Sequence, residues 1–235
     1  MKFFVVTFEG SPRWEGDEGL TERLKKHNIE YERVNGQSKF DVTFQDEKLN
    51  GINKGKQACF LSHAIALQKG IDSEDDEFGI LEDDVLFIDD FHQKFKEQYD
   101  NLPDHWKLFL FATYQLNWDG CNYKGKNWEL RNILQATDQS FGAYGYIIKR
   151  SVAQYMIQFV NKYVKDIYHP TVQEIWDSRH LASEDILAQS EREFSYFSHP
   201  FLVIEKSSDS FIQVNSRLQN HVNYFASNKR GNHYS

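Results

Sequence analysis

Short and almost uniformly apolar segments recur along this chain, and they constrain its fold more than any other feature. Segments with a helical spacing of apolar residues separate them. We predict strands at residues 2–8, 31–34, 78–81, 107–113, 141–148 and 201–205, and helices at 20–27, 56–70, 90–99, 151–164 and 180–191. Strands without a polar face are typical of a sheet that is covered on both sides. The alternation therefore predicts an α/β fold with a mostly parallel sheet flanked by helices.

The length suits one large domain or two small ones, and the composition is that of an ordinary globular protein. The chain has 235 residues, of which 40% are hydrophobic and 15% aromatic, so a large core is available. The polar sequence of residues 215–235 predicts a loose C-terminal tail, which leaves residues 1–214 for the folded part of the chain. The net charge of −8 argues against a dedicated nucleic-acid binder, since such proteins carry a basic surplus. An anionic ligand would need a local basic group that works against the negative field of the whole protein.

Cysteine content and hydropathy point to a compartment. Two cysteines, Cys59 and Cys121, are too few for a disulfide scaffold, and we expect both to be reduced thiols. The N-terminal segment turns polar too soon for a signal peptide. No apolar run approaches the roughly 20 residues that span a bilayer. The sequence therefore predicts a soluble, cytoplasmic protein without a transmembrane segment.

Three adjacent carboxylates, Glu82, Asp83 and Asp84, follow directly on the predicted strand at 78–81. In mostly parallel sheets, ligands bind beyond the carboxyl ends of the strands, where this cluster lies. If the alternation of the strand continued, Glu82 and Asp84 would face one pocket and Asp83 another. Two carboxylates on one side could hold a hard divalent cation, with water and phosphate oxygens as its other ligands. The same residues also fit a solvated acidic turn before the next helix, which is the commoner meaning of so short a motif.

Two motifs resemble glycosyltransferase family 25, which includes bacterial lipooligosaccharide galactosyltransferases and the collagen galactosyltransferases. They are GKQACFLSHAIAL at residues 55–67 and ILEDDV at residues 80–85. The family pattern, Gly-x-x-x-Cys-x-x-Ser-His before Leu-Glu-Asp-Asp, is matched in order and spacing by Gly55, Cys59, Ser62, His63, Leu81, Glu82, Asp83 and Asp84. The resemblance implies a single domain of GT-A type, whose Rossmann-like sheet binds a nucleotide sugar and usually Mn²⁺.

By this resemblance, Glu82 and Asp84 occupy the metal-binding position. It implies that Asp84 is the direct ligand of Mn²⁺ or Mg²⁺ and that Glu82 acts through water. Asp185, with Glu184 second, resembles the element that supplies the catalytic base of inverting GT-A enzymes. A base is required because the acceptor hydroxyl must lose its proton as it attacks the anomeric carbon. A serine two residues before an aspartate, as in Ser183 to Asp185, is equally a helix-capping arrangement.

The remaining candidates would contact the nucleotide sugar. By analogy with the family, base and ribose lie at the end of the first strand, and nearby cations serve the diphosphate. The candidates are Thr7, Phe8, Arg13, Lys56, Ser62, His63, Asp83 and Gly142. Some have a plain structural alternative: His63 could be satisfied by backbone, Arg13 and Lys56 could be solvated surface charges, and Gly142 could belong to a strand bulge. His199 and Asp209 are further candidates for the metal or diphosphate site. The aromatic segment at 114–128 could stack against the acceptor sugar, but it fits slightly better an insertion that packs against its own domain.

Together these features predict a metal-dependent glycosyltransferase. It would transfer a hexose, galactose or glucose, from a UDP-sugar to a saccharide or glycan acceptor, with inversion, in glycan or lipopolysaccharide biosynthesis. The alternative is a non-catalytic carbohydrate- or nucleotide-binding module on the same fold. A response to free saccharide without a response to nucleotide would favour the carbohydrate-binding module.

Overall fold

The computed structural model describes residues 1–14, 19–37, 54–112, 114–115, 133–135, 140–141, 144–165, 194–198 and 201–205, and the structural statements below concern those residues. The elements, in chain order, are β1 (Phe3–Thr7), α1 (Leu20–Lys26), β2 (Tyr31–Asn35), α2 (Lys54–Asp72), β3 (Glu77–Glu82), β4 (Val85–Phe87), α3 (Phe91–Tyr99), β5 (Leu108–Leu110), β6 (Tyr114–Gln115), β7 (Ile133–Gln135), β8 (Ser140–Phe141), β9 (Gly145–Lys149), α4 (Arg150–Lys165), β10 (Ser195–Ser198) and β11 (Val203–Glu205). None of these helices is long and apolar enough to cross a membrane.

Seven of these strands form one sheet, in the order β2-β1-β3-β9-β5-β10-β7. β1 pairs in parallel with β2 and β3, and β5 pairs in parallel with β10. β9 is antiparallel to both of its neighbours, and β7 is antiparallel to β10. Five of the seven strands therefore point the same way, which confirms the predicted α/β fold with a mostly parallel sheet. Two short pairs, β4 with β11 and β6 with β8, lie outside this sheet.

Aromatic side chains fill both faces of the sheet. On one face, the ring of Phe78 lies against Gly70 of α2, where an added Cβ would come within 2.1 Å of that ring. On the other face, Phe91 and Phe95 of α3 pack edge-on against Phe111, with ring centroids 6.0 and 5.8 Å apart. Because helices cover both faces, the strands need no polar side, and this explains their uniformly apolar sequence.

The structure differs from the sequence prediction more in its strands than in its helices. The predicted strand at 141–148 is divided into β8 and β9, and β9 enters the sheet antiparallel between β3 and β5. The sequence prediction does not include β4, β7 or β10, each of which is only three or four residues long, at the lower limit of a recognisable strand pattern. The helix expected at 180–191 and the tail expected at 215–235 lie outside the described residues, so the division at residue 214 stays a prediction.

Candidate active site

The candidate site lies at the edge of the sheet where the parallel strands β1, β2 and β3 end. Thr7 ends β1 opposite Asn35 of β2, and Glu82 ends β3 in register with Val6. Helix α2 connects β2 to β3, so its first turns lie at this same edge. The acidic cluster is therefore at the carboxyl ends of parallel strands, where the sequence places it.

Two hydroxyl groups hold the carboxylate of Asp83. Asp83 Oδ2 accepts a hydrogen bond from Thr7 Oγ1 at 2.7 Å and another from Ser11 Oγ at 2.6 Å. The guanidinium of Arg23, on α1, donates to the backbone carbonyl of Asp83 at 3.2 Å. These four residues are all buried. The acidic turn, Asp83 and Asp84, is thus held by contacts from β1, from the loop after β1 and from α1. These contacts do not fit the alternative of a turn exposed to solvent.

Arg13 brings a positive charge to this turn. Its Nη1 lies 2.9 Å from Asp84 Oδ2 and 3.6 Å from Asp83 Oδ1. The side chains of Arg13 and Asp84 are only 17% and 7% exposed, so water and salt screen the pair weakly. Burial and mutual repulsion oppose two adjacent carboxylates, and the guanidinium offsets that cost. Asp83 and Asp84 therefore converge on one cationic position.

Glu82 has different partners. Its Oε1 lies 3.1 Å from His63 Nε2 and 3.9 Å from the thiol of Cys59, and both of these residues are on α2. The prediction that Glu82 and Asp84 face one pocket while Asp83 faces another is therefore wrong, because Asp83 shares Arg13 with Asp84. The physical reason is that β3 ends at Glu82 and the next two residues form a turn, where the alternation of a strand no longer applies.

His63 connects Glu82 to the antiparallel strand β9. Its Nδ1 lies 2.9 Å from the hydroxyl of Tyr146, and the two rings stack with centroids 5.8 Å apart. Both residues are buried. Burial, followed by the negative charge of Glu82, raises the pKa of Tyr146 well above its usual value, so the phenol stays protonated. Tyr146, His63 and Glu82 therefore form one chain of hydrogen bonds, which starts in the core and ends at the partly exposed carboxylate of Glu82.

The hydroxyl of Ser62 joins α2 to the end of β2. It accepts a hydrogen bond from the backbone N–H of Gln37 at 2.8 Å and donates to the carbonyl of Ala58 at 2.6 Å. Gly36 lies so close that a Cβ there would be 2.3 Å from Ser62 Oγ. Ser62 thus holds the edge of the site together, and its predicted contact with a phosphate stays a prediction.

The start of the loop after β1 is braced by aromatic and cationic side chains. The guanidinium of Arg33 donates to the carbonyl of Phe8 at 3.4 Å and lies 4.7 Å from the ring centre of Trp14. Trp14 in turn meets Tyr31 edge to face at 5.9 Å. The loop that carries Ser11 and Arg13 is therefore packed against β2. Thr7 and Phe8, predicted to meet base and ribose, lie at its beginning.

Several predicted site residues are not among those that the structure describes. They are Gly142, Glu184, Asp185, His199 and Asp209, together with most of the aromatic segment at 114–128; Lys56 lies in α2, but its side chain is outside the described part. Their roles stay predictions.

Sequence reasoning misses three contributors to this site: Ser11, Arg23 and Tyr146. Nothing in their local sequence marks them, since their partners are far away along the chain. Cys59 belongs to the recognised motif, but its closeness to Glu82 is not predicted. One signal was available. Cys59 and His63 are four residues apart on a helix, and such side chains lie on one face.

Two sets of donor atoms in the described residues could hold a cation. The first is the oxygen pair of Asp83 and Asp84, which already meets the guanidinium of Arg13. The second consists of Cys59, His63 and Glu82, whose sulfur, nitrogen and oxygen atoms all lie within 4.8 Å of one another. Among the described residues, this is the one group of three such side chains that close together.

Part of the chain is similar to known proteins. The model of glycosyltransferase family 25 (LPS biosynthesis protein) matches residues 18–172, which is more than half of the chain. Lipooligosaccharide biosynthesis protein lic2B of Haemophilus influenzae is 31% identical over 109 residues, 44% of this chain and 40% of that protein. Procollagen galactosyltransferase 2 of Homo sapiens is 28% identical over 109 residues, 45% of this chain and 17% of that protein. The matched region thus spans less than half the length of these curated relatives.

A solved structure also aligns with most of the chain. It is the crystal structure of a glycosyltransferase involved in the glycosylation of the major capsid of PBCV-1, and the alignment covers 94% of this chain and 97% of that chain. The TM-score is 0.49 and the sequence identity 9%, a likeness too distant to argue from.

Proposed function

Because the chain belongs to glycosyltransferase family 25, we propose that it is a metal-dependent glycosyltransferase. It transfers a hexose, galactose or glucose, from a UDP-sugar to a saccharide or glycan acceptor, with inversion at the anomeric carbon. The observation that carries this proposal is the convergence of Asp83 and Asp84 on one cationic position at the carboxyl ends of parallel strands.

The names of the relatives support a hexose as the transferred group. One relative is a procollagen galactosyltransferase, and the other is a lipooligosaccharide biosynthesis protein. Their acceptors differ in kind, and this chain matches only part of each. We therefore assign the class of reaction, hexosyl transfer to a glycan, and leave the acceptor to experiment.

The oxygen donors of the acidic turn fit a hard divalent cation such as Mn²⁺ or Mg²⁺. Asp83 and Asp84 already converge on the positive charge of Arg13, so their oxygens can share one cation. Asp84 is the residue we assign as the direct ligand, while Thr7 and Ser11 orient Asp83 beside it. Glu82 faces His63, so we assign it an outer contact made through water. Such a cation, when bound, neutralises negative charge on a departing diphosphate.

The protein's own groups would carry the rest of the chemistry. Arg13 is the cation we assign to the diphosphate, and we assign Thr7 and Phe8, at the end of β1, to the base and ribose. As the acceptor oxygen forms its bond to the anomeric carbon, Asp185 takes the hydroxyl proton, with Glu184 as the second candidate. The bond from the anomeric carbon to the diphosphate oxygen breaks, and UDP leaves with its electron pair.

Thermal unfolding with UDP, with and without Mn²⁺, tests the proposal because a ligand that binds the native state raises stability. We expect UDP to raise the unfolding temperature only when Mn²⁺ is present. Asp84→Asn should abolish the rise, while the matched control Asp76→Asn, at a carboxylate that is 94% exposed, should keep it. A rise with free saccharides and none with UDP and Mn²⁺ would instead indicate a non-catalytic carbohydrate-binding module.

A screen of nucleotide sugars then identifies the donor by recording which one is consumed. Asp185→Asn should lose transfer and keep the UDP-dependent rise in unfolding temperature, because a base acts on the acceptor and not on the nucleotide. Retained turnover in Asp185→Asn would remove this residue from the mechanism and leave Glu184→Gln as the next variant to test.

A further inference from the structure

Cys59, His63 and Glu82 form a compact group at the first turns of α2 and the end of β3. The distance from His63 Nε2 to Glu82 Oε1 is 3.1 Å, that from Cys59 Sγ to the same oxygen is 3.9 Å, and all three ligand atoms lie within 4.8 Å of one another. We propose that these side chains bind a divalent transition-metal ion of the zinc type, at a site separate from the oxygen donors of Asp83 and Asp84. This inference does not rest on the proposed glycosyl transfer.

The donor atoms select the kind of metal. A thiolate and an imidazole suit Zn²⁺ and Co²⁺, whereas Mg²⁺, Ca²⁺ and Mn²⁺ prefer sites made of oxygen alone. The charges also balance, because one thiolate and one carboxylate neutralise a divalent ion beside a neutral imidazole. A neutral assembly avoids much of the cost of burying an ion. Binding would release the thiol proton of Cys59 to solvent.

The spacing of the ligand atoms agrees with one shared ion. Cys59 and His63 are four residues apart on α2 and therefore lie on the same helix face. A tetrahedral zinc ion with bonds of about 2.0–2.3 Å separates its ligand atoms by roughly 3.5 Å. The observed separations of 3.1 and 3.9 Å lie on either side of that value. The third pair, the sulfur of Cys59 and the nitrogen of His63, lies within 4.8 Å.

Tyr146 supplies the support that metal-binding histidines usually have. Such a histidine donates its second ring N–H to a neighbouring polar group, which fixes the ring and its tautomer. Here His63 Nδ1 lies 2.9 Å from the Tyr146 hydroxyl, so Nε2 is the nitrogen that faces Glu82. The stacking of the two rings holds the imidazole in that orientation.

Three protein ligands leave one position of a tetrahedral ion open. Cys59 is only partly buried, and the side chain of Glu82 is 21% exposed, so the group has a side open towards solvent. A closed structural zinc site would have four protein ligands, whereas sites that bind water or a substrate group have three. The arrangement therefore fits a metal with an exchangeable ligand, next in sequence to the acidic turn.

Titration of the metal-free 235-residue chain with Co²⁺ tests this site without any measurement of activity. We expect a thiolate-to-cobalt charge-transfer absorption that saturates at one equivalent and disappears on addition of Zn²⁺. Cys59→Ser should lose this absorption, and Cys121→Ser, at the other cysteine of the chain, should keep it. Asp84→Asn should also keep it, so the cobalt site and the Mn²⁺–UDP site can fail independently.

Tyr146→Phe provides a second test that leaves all three ligands in place. Loss of such an outer hydrogen bond typically weakens metal affinity by about 10–100-fold, and we expect a change of that size with the absorption retained. Far-ultraviolet circular dichroism checks that each variant is folded. Absence of the thiolate absorption in the unaltered protein, or its persistence in folded Cys59→Ser, would overturn the proposal and leave a simple hydrogen-bonded chain.

Discussion

The guanidinium of Arg13 lies 2.9 Å from the carboxylate of Asp84, and this contact ties the loop after β1 to the turn after β3. Asp83 lies within 3.6 Å of the same nitrogen, so one cation serves two buried acids. This contact explains how the apolar strand β3 can be followed by the adjacent carboxylates of Asp83 and Asp84. It also makes Arg13 the source of positive charge beside these two acids, in addition to the hydrogen bonds that hold Asp83.

Arg13→Ala should therefore reduce the free energy of unfolding by about 3–5 kcal/mol, because removing one partner of a buried ion pair leaves the other uncompensated. Urea denaturation measures the loss. The matched control is Arg150→Ala, which breaks an ion pair with the exposed carboxylate of Asp76 and should cost only about 0–1 kcal/mol. Similar losses in the two variants would show that the Arg13 pair behaves like a surface contact.

Thr7→Val removes one of the two hydroxyls that donate to Asp83 and preserves the shape of the side chain. We expect a loss of about 1.5–3 kcal/mol, the range for a hydrogen bond to a charged group. Thr21→Val is the control, since the hydroxyl of Thr21 donates to the neutral carbonyl of Trp14 at 3.0 Å. That variant should lose about 0.5–1.5 kcal/mol in the same denaturation experiment. An equal or smaller effect at Thr7 would contradict this account of Asp83.

Gly36→Ala should destabilise the edge of the site by about 1–3 kcal/mol, because the new methyl group would overlap the side chain of Ser62. The double variant with Ser62→Gly removes the overlapping atoms. Its loss should be smaller than the sum of the two single losses, with a coupling of about 0.5–3 kcal/mol. Strict additivity in thermal or urea unfolding would mean that the two positions do not touch.

His27 should make stability fall as the pH is lowered. Burial, and then the positive charges of Lys26 and His92, lower the pKa of His27, while Asp89 raises it less. The unfolded chain therefore binds a proton at a higher pH than the folded protein does. Stability from this group is complete above about pH 6.5 and declines as the pH falls below that value.

Urea unfolding at about pH 7.5 and about pH 5 measures this dependence. His27→Gln should reduce the difference in stability between the two conditions, whatever its effect at the higher pH. The exposed residue His105 provides the control, and His105→Gln should leave the difference unchanged. If the difference in stability between the two pH values is unchanged in His27→Gln, the pH dependence arises from other groups.

The sequence predicts the parts of the fold that depend on local pattern. The apolar runs of β1 and β3 and the amphipathic spacing of α4 identify those elements within a few residues. The sequence does not reveal that β9 is antiparallel to its neighbours, because a buried strand has the same composition in either orientation. Short strands such as β10 are stabilised by their neighbours and carry little signal of their own.

The candidate site likewise has parts that the sequence predicts and parts that it does not. The motif locates Glu82, Asp83 and Asp84, and the loop sequence offers Arg13 as the nearest cation. The directions in which the three carboxylates point cannot be predicted from strand alternation, because a turn begins at Asp83. Tyr146 escapes sequence reasoning because its contact with His63 joins residues that are 83 positions apart. Such a contact is created by the sheet order and not by any local pattern.

The central place of β9 has a consequence for a chain leaving the ribosome. β1, β2 and β3 are synthesised first, yet the edge of β3 keeps its hydrogen-bonding groups unpaired until β9 arrives. Phe78 and Ile80, completely buried in the finished protein, lie on that edge. A nascent chain halted before residue 145 would thus expose an apolar strand, β3, that can aggregate. His63 would also lack its hydrogen-bond partner Tyr146, which has not yet been synthesised.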